Sequence, residues 1–219
     1  MSGILEAVVS RIAGSAVVAG GKSLLQRLTP PKISSRRTPA NLFEHIGPGA
    51  PVEFVREQLG TPSTRIDLTP GKVWAYRFSD SVVQVEFDDD ECVRSLVLAL
   101  TDRSPKRGFS LPFSGPLGKL TFDDVTSDPN GKLRYRSSLR TWELLFETRG
   151  IPHQISNYVT YGALVPLWPG RLADTSFDTS AARLAPRLAA KGVLINWVGV
   201  SRDEEEMWFD WQFALPINL

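Results

Sequence analysis

Residues 16–23, AVVAGGKS, fit the relaxed form of a phosphate-binding loop, with Ala16 where a first glycine usually stands and Lys22-Ser23 at its end. That chemistry needs a buried strand that enters a glycine-rich turn, whose amides then open a helix around the phosphates. The context here is different. Leu5, Val8, Val9, Ile12, Ala16, Ala19 and Leu24 recur near a 3.6-residue period, which predicts an amphipathic helix running into the motif. An acidic echo at Asp102, in LVLALTD, follows a hairpin-rich stretch with no strand–helix–strand alternation between the two motifs. A nucleotide enzyme acting through Ala16–Ser23 is therefore the least favoured reading.

Other reactive residue types are sparse. Cys92 is the single cysteine, so neither an internal disulfide nor a thiolate-clustered zinc site is available. It stands beside the acidic run Asp88–Glu91, where negative charge opposes thiolate formation. His45 and His153 are the two histidines, and neither has a nucleophile nearby in sequence. The run FDDDE at 87–91 and the group Asp123, Asp124 and Asp128 offer carboxylates. They lack the spacing and glycine of a calcium loop, and read as hairpin and turn formers. No catalytic residue, cofactor or metal site is predicted.

Recognition is better represented. KLRYRSSLR, 132–140, places Arg134, Arg136 and Arg140 around Tyr135 as a candidate anion-binding group, or a face displayed to water ahead of a helix carrying Trp142, Leu145 and Phe146 inward. In MWFDWQF, alternation puts Met207, Phe209, Trp211 and Phe213 on one side and leaves Trp208 on the polar side as a binding candidate.

The elements that position these residues follow from pattern. PVEFVREQLGTPS predicts a helix opened by Pro51 and closed by Gly60 and Pro62. KVWAYRF predicts a strand with Trp74, Tyr76 and Phe78 on one side and Val73, Ala75 and Arg77 on the other. VVQVEF opposes Val83, Val85 and Phe87 to Val82, Gln84 and Glu86, and CVRSLVLAL supplies a third strand. Burial of the aromatic side leaves Arg77, Gln84 and Glu86 as partner-facing candidates. Further strands are predicted at 153–168, 192–200 and 206–215, with a helix across 178–192 capped by Asp178 or Thr179, bent at Pro186 and stopped by Gly192.

A helix ending in Leu59-Gly60-x-Pro62, a Trp74/Tyr76/Phe78 strand, a Val83/Val85/Phe87 strand and the acidic turn Asp88–Asp90 resemble the small outer-membrane lipoprotein module of the SmpA/OmlA type. The β-lactamase-inhibitory-protein-like modules are similar. The resemblance covers about 50 of the 219 residues and implies a helix-backed antiparallel sheet used for binding another protein, without catalysis. No lipobox cysteine stands near the N-terminus and no cysteine pairs exist, unlike in those two groups. An internal echo relates FVREQLGTPS (54–63) to LLFETRGIPH (144–153) through Glu57/Glu147, Gly60/Gly150 and Pro62/Pro152, which suggests a diverged tandem repeat.

The expected fold class is thus α+β: an N-terminal amphipathic helix (1–28), a Pro/Ser/basic linker (29–43), a helix-plus-meander module (44–104) and a second α+β module (117–219), separate from the first or packed with it as one domain. Apolar residues make up 42%, enough for a core, and the net charge of +1 argues against nucleic acid as the partner. The expected function is non-enzymatic binding of another protein. The alternative is a membrane-peripheral accessory factor of a bacterial defence or immunity system, with residues 4–28 meeting lipid, a partner or a second copy. No secretory signal is expected, since Glu6 and Arg11 interrupt the early apolar positions. The location expected is cytoplasmic, with peripheral membrane attachment left open.

Overall fold

The computed structural model describes residues 36–67, 71–101, 109–151, 154–167, 171–204 and 207–214. The readings made for Ala16–Ser23, for the helix at 1–28 and for His153 lie outside the described residues.

The chain is α+β. Two short helices, α1 (Leu42–His45) and α2 (Val52–Leu59), precede the meander β1 (Thr64–Asp67), β2 (Lys72–Arg77), β3 (Ser81–Phe87) and β4 (Val93–Leu100). A small hairpin, β5 (Phe109–Leu111) with β6 (Ser114–Leu117), and helix α3 (Phe122–Val125) lead into β7 (Lys132–Ser137), β8 (Thr141–Ile151) and β9 (Gln154–Pro166). Helices α4 (Thr179–Leu184) and α5 (Pro186–Ala189) come next, then β10 (Trp197–Ser201) and a 3-10 turn at Trp211–Ala214. The large sheet has eight antiparallel strands in the order β1-β2-β3-β4-β10-β9-β8-β7. Two meanders thus meet through their last strands, β4 against β10 with Val198 opposite Leu98, and β1 and β7 are left as edges. Among the described residues no helix is long and apolar enough to cross a membrane.

Local signals act as expected at several ends. Pro51 opens α2, and Gly60 closes it at φ 83°, a left-handed conformation that glycine adopts without a Cβ penalty. The Asp178 side chain accepts hydrogen bonds from the Ser180 and Ala181 amides and so caps α4. Pro186 removes an amide donor, and the predicted single helix breaks at Ala185 into α4 and α5.

One face of the sheet carries the main core: Trp74, Tyr76, Val83, Val85, Phe87, Leu96, Leu98, Leu144, Phe146, Tyr161 and Val198 pack with Leu42, Phe43, Val52, Val55, Leu59 and Ala182 from the helical segments. Residues 36–43, assigned to the linker, run along the first meander. Thr38 donates its amide to Asp80 Oδ1 at 3.1 Å, and Thr38, Leu42 and Phe43 are buried.

The other face is also covered. Val73, Ala75, Val82, Val97, Ala99, Leu145, Leu164 and Trp197 form a second core with Leu172, Met207, Phe209 and Phe213. Three expectations change here. Residues 207–214 are no strand but a strap laid across the sheet, ending in the 3-10 turn. Residues 192–196 stay outside β10, because buried Asn196 bonds the Leu164 amide and the Leu164 and Ala173 carbonyls with its side chain. The helix expected at 142–150 is strand β8, the partner of both β7 and β9. Leu144 and Phe146 enter one core and Leu145 the other, so apolar residues on both sides hide the period of two. The echo between 54–63 and 144–153 therefore joins a helix to a strand, and does not mark equivalent elements.

Candidate binding surface

The residues predicted to face a partner separate into two groups. Arg77 and Gln84 are 7% and 1% exposed. They do point away from Trp74 and Tyr76, as the alternation required, but the strap closes over them. Arg77 Nη2 donates to the Gln212 carbonyl at 3.3 Å; burial first, and Arg171 second, bring its pKa down to about 10, so it remains a cation at neutral pH. Gln84 Nε2 donates to the Trp208 carbonyl at 3.1 Å, and its Oε1 accepts from the Asp210 amide at 2.9 Å. Their role is to hold the strap. Glu86 is half-buried and is held by Ser95 Oγ at 3.1 Å and Arg94 at 3.5 Å, with Arg94 Nε donating to Asp203 at 2.9 Å.

Trp208 is at the surface, 41% exposed, between buried Met207 and Phe209. Its carbonyl and the Asp210 amide are the two backbone groups that Gln84 holds.

The arginines of β7 share one side of the sheet with carboxylates of β8. Arg134 pairs with Glu147 at 3.0 Å. Arg136 Nε donates to Glu143 Oε2 at 3.0 Å, while Trp197 Nε1 donates to Glu143 Oε1 at 2.9 Å. Glu143 is 2% exposed, and these donors satisfy its buried charge. Arg140 sits in the β7–β8 turn. Two of the three candidate anion-binding arginines, Arg134 and Arg136, are thus held in a cross-strand ladder of ion pairs. Asp88 and Asp128 take the turn roles expected, Asp88 accepting the Asp90 and Cys92 amides and Asp128 the Asn130 amide and the Thr148 hydroxyl; Asp124 instead completes a capping box with Thr121 at the start of α3. Hydrogen bonding holds the Asp124 and Asp128 carboxyls below the usual range. No cluster of metal-ligating side chains occurs among the described residues.

A cavity of about 410 Å³ opens between the β5–β6 hairpin and the sheet, walled by Phe113, Leu120, Val125 and Tyr161, with Lys119 and Asp124 in its lining. The Tyr161 hydroxyl is hydrogen-bonded to Ser114, and burial raises its pKa.

A second basic group was not visible in the sequence. Arg65 of β1 lies opposite Trp74 in the register, and its guanidinium stands 4.9 Å from the indole centre; Arg56 of α2 stands 5.6 Å and Lys72 5.5 Å from the same ring. Lys72 is paired with Glu91. TRID is too short to announce a strand, and without β1 nothing brings Arg65 to Trp74.

Comparison with family models, with curated proteins and with solved structures returns no match.

Proposed function

We propose that this protein is a non-enzymatic binding protein whose ligand is another protein, built from two diverged copies of a helix-and-meander unit of the SmpA/OmlA or β-lactamase-inhibitory kind. The strand order supports the repeat: each half passes from a helical segment into antiparallel strands, and the halves join through their fourth strands, β4 and β10. On this reading the second copy corresponds to α3 with β7–β10, carrying α4 and α5 as an insertion before its last strand.

The observation that carries the binding role is Trp208. Both its chain neighbours are buried, and Gln84 fixes the backbone at 208 and 210. An indole presented on a fixed backbone gives up little entropy when a partner covers it, and such aromatics dominate interface energies. The test uses the full chain and its Trp208→Ala variant as baits in a cell lysate. One protein retained in stoichiometric amount by the parent, and reduced about tenfold or more by the variant at unchanged thermal midpoint, is expected. Equal retention by both baits overturns the role of Trp208, and with it this reading.

A further inference from the structure

The guanidiniums of Arg56 and Arg65 converge on one indole, and among the described residues neither forms an ion pair or a side-chain hydrogen bond. Glu53 and Glu57 on α2 and Asp67 on β1 are the carboxylates on the same two elements, and none of them pairs with either arginine. The contrast with the opposite edge of the sheet is direct, since Arg134 and Arg136 of β7 each meet a carboxylate of β8. With Lys72, which Glu91 pairs, three cations gather at a single ring; they repel one another, and the face of one indole offsets only part of that.

A second observation lies beside them. Tyr76, two residues along the same face of β2, is 2% exposed, and its hydroxyl has no hydrogen-bond partner. A buried hydroxyl left without a partner costs free energy. Burial pushes the phenol above its ordinary pKa, and the charges of Arg65 and then Arg56 pull it back.

We infer that Arg56 and Arg65, gathered at Trp74 next to Tyr76 at the β1 edge, form a receptor for the carboxylates of an acidic segment of the protein partner. The inference rests on the protein-binding reading above. A carboxylate reaching the arginines gains charge-assisted hydrogen bonds from donors that form no ion pair with any described residue. The site lies on β1, an edge strand whose outer side pairs with no other described strand, where an extended segment meets backbone groups as well.

The probe is a blocked hexaglutamate peptide titrated into the full chain at low salt, followed by calorimetry and by the indole N–H resonance of Trp74. Saturable binding that shifts this resonance is expected. Affinity should drop about tenfold or more in Arg56→Gln/Arg65→Gln and hold in Arg183→Gln/Arg187→Gln, which removes equal charge elsewhere. No saturable binding, or an equal loss in both double variants, overturns the inference. So does displacement of the peptide by equimolar inorganic phosphate, which would mark a small-anion site. Trp208-dependent capture of a protein alongside any of these results leaves the binding role intact and removes only the acidic receptor.

Discussion

Gln84 and Trp208 are joined across 124 positions of sequence by a hydrogen bond from Gln84 Nε2 to the Trp208 carbonyl at 3.1 Å, and the same glutamine accepts the Asp210 amide. One buried amide side chain thus ties the strap to β3. Gln84→Leu keeps the volume and removes both bonds, leaving a carbonyl and an amide without partners. A loss of about 1–3 kcal/mol for each orphaned group is expected, read as a lower midpoint in urea. A larger response of Trp208 to acrylamide quenching should accompany it, since its backbone is released.

Asp210 gives a pH signature. Burial raises its carboxyl above the ordinary value of 3.8, against the bond its side chain accepts from the Gln212 amide. The folded state therefore holds this proton to higher pH than the unfolded chain does. Ionised Asp210 costs stability at neutral pH, and that cost disappears as pH falls below 3.8. Asp210→Asn keeps an acceptor for Gln212 without the charge. Its thermal midpoint should exceed the parent's at pH 7 and the two should converge in acid; a lower midpoint at pH 7 contradicts this account.

Gly162 of β9 makes room for Trp197. A Cβ there would stand 2.0 Å from Nε1 and Cε2 of the indole, which is itself fully buried. Gly162→Ala must displace that ring or the strand, at about 1–3 kcal/mol or more. Chemical denaturation measures the loss, and a shifted Trp197 indole resonance would show that the ring moved.

Removal of the Glu143 carboxylate should also be costly. Glu143→Ala strips the buried Trp197 N–H, and the partly exposed Arg136, of a partner, and about 1–3 kcal/mol is expected for the orphaned indole N–H alone, before the lost packing. Glu143→Gln keeps an oxygen for the indole and should fall between this variant and the parent. Equal midpoints for the two variants would show that the indole bond contributes nothing.

How far the sequence foretold this arrangement depends on how many sides each strand buries. The alternation at 72–87 was readable because aromatic and valine positions fell on one side, and Trp74, Tyr76, Val83 and Val85 do lie in one core. The same alternation said nothing about what covers Arg77 and Gln84, because their cover arrives from residues more than 120 positions later. Leu144, Leu145 and Phe146 are buried in succession, so β8 carries no period of two and its sequence suggests a helix. Met207, Phe209 and Phe213 alternate because one side of the strap is buried; alternation records burial and does not require strand pairing. The alternation puts Trp208 on the polar side and leaves open whether a loop covers it; it is 41% exposed, whereas Arg65 reaches Trp74 only through the pairing of β1 with β2.

The central place of β10 has a consequence for how this molecule is made. A chain emerging from the ribosome completes β1–β4 nearly a hundred residues before Trp197–Ser201 appears to occupy the slot beside β4. Through that interval the strand VRSLVLAL offers an open, oily rim to any passing neighbour. Its native occupant among the described strands is made nearly a hundred residues later, so completion of the sheet must wait on that translation. A chain cut short before residue 197 would keep that rim for good and be a natural seed for clumping.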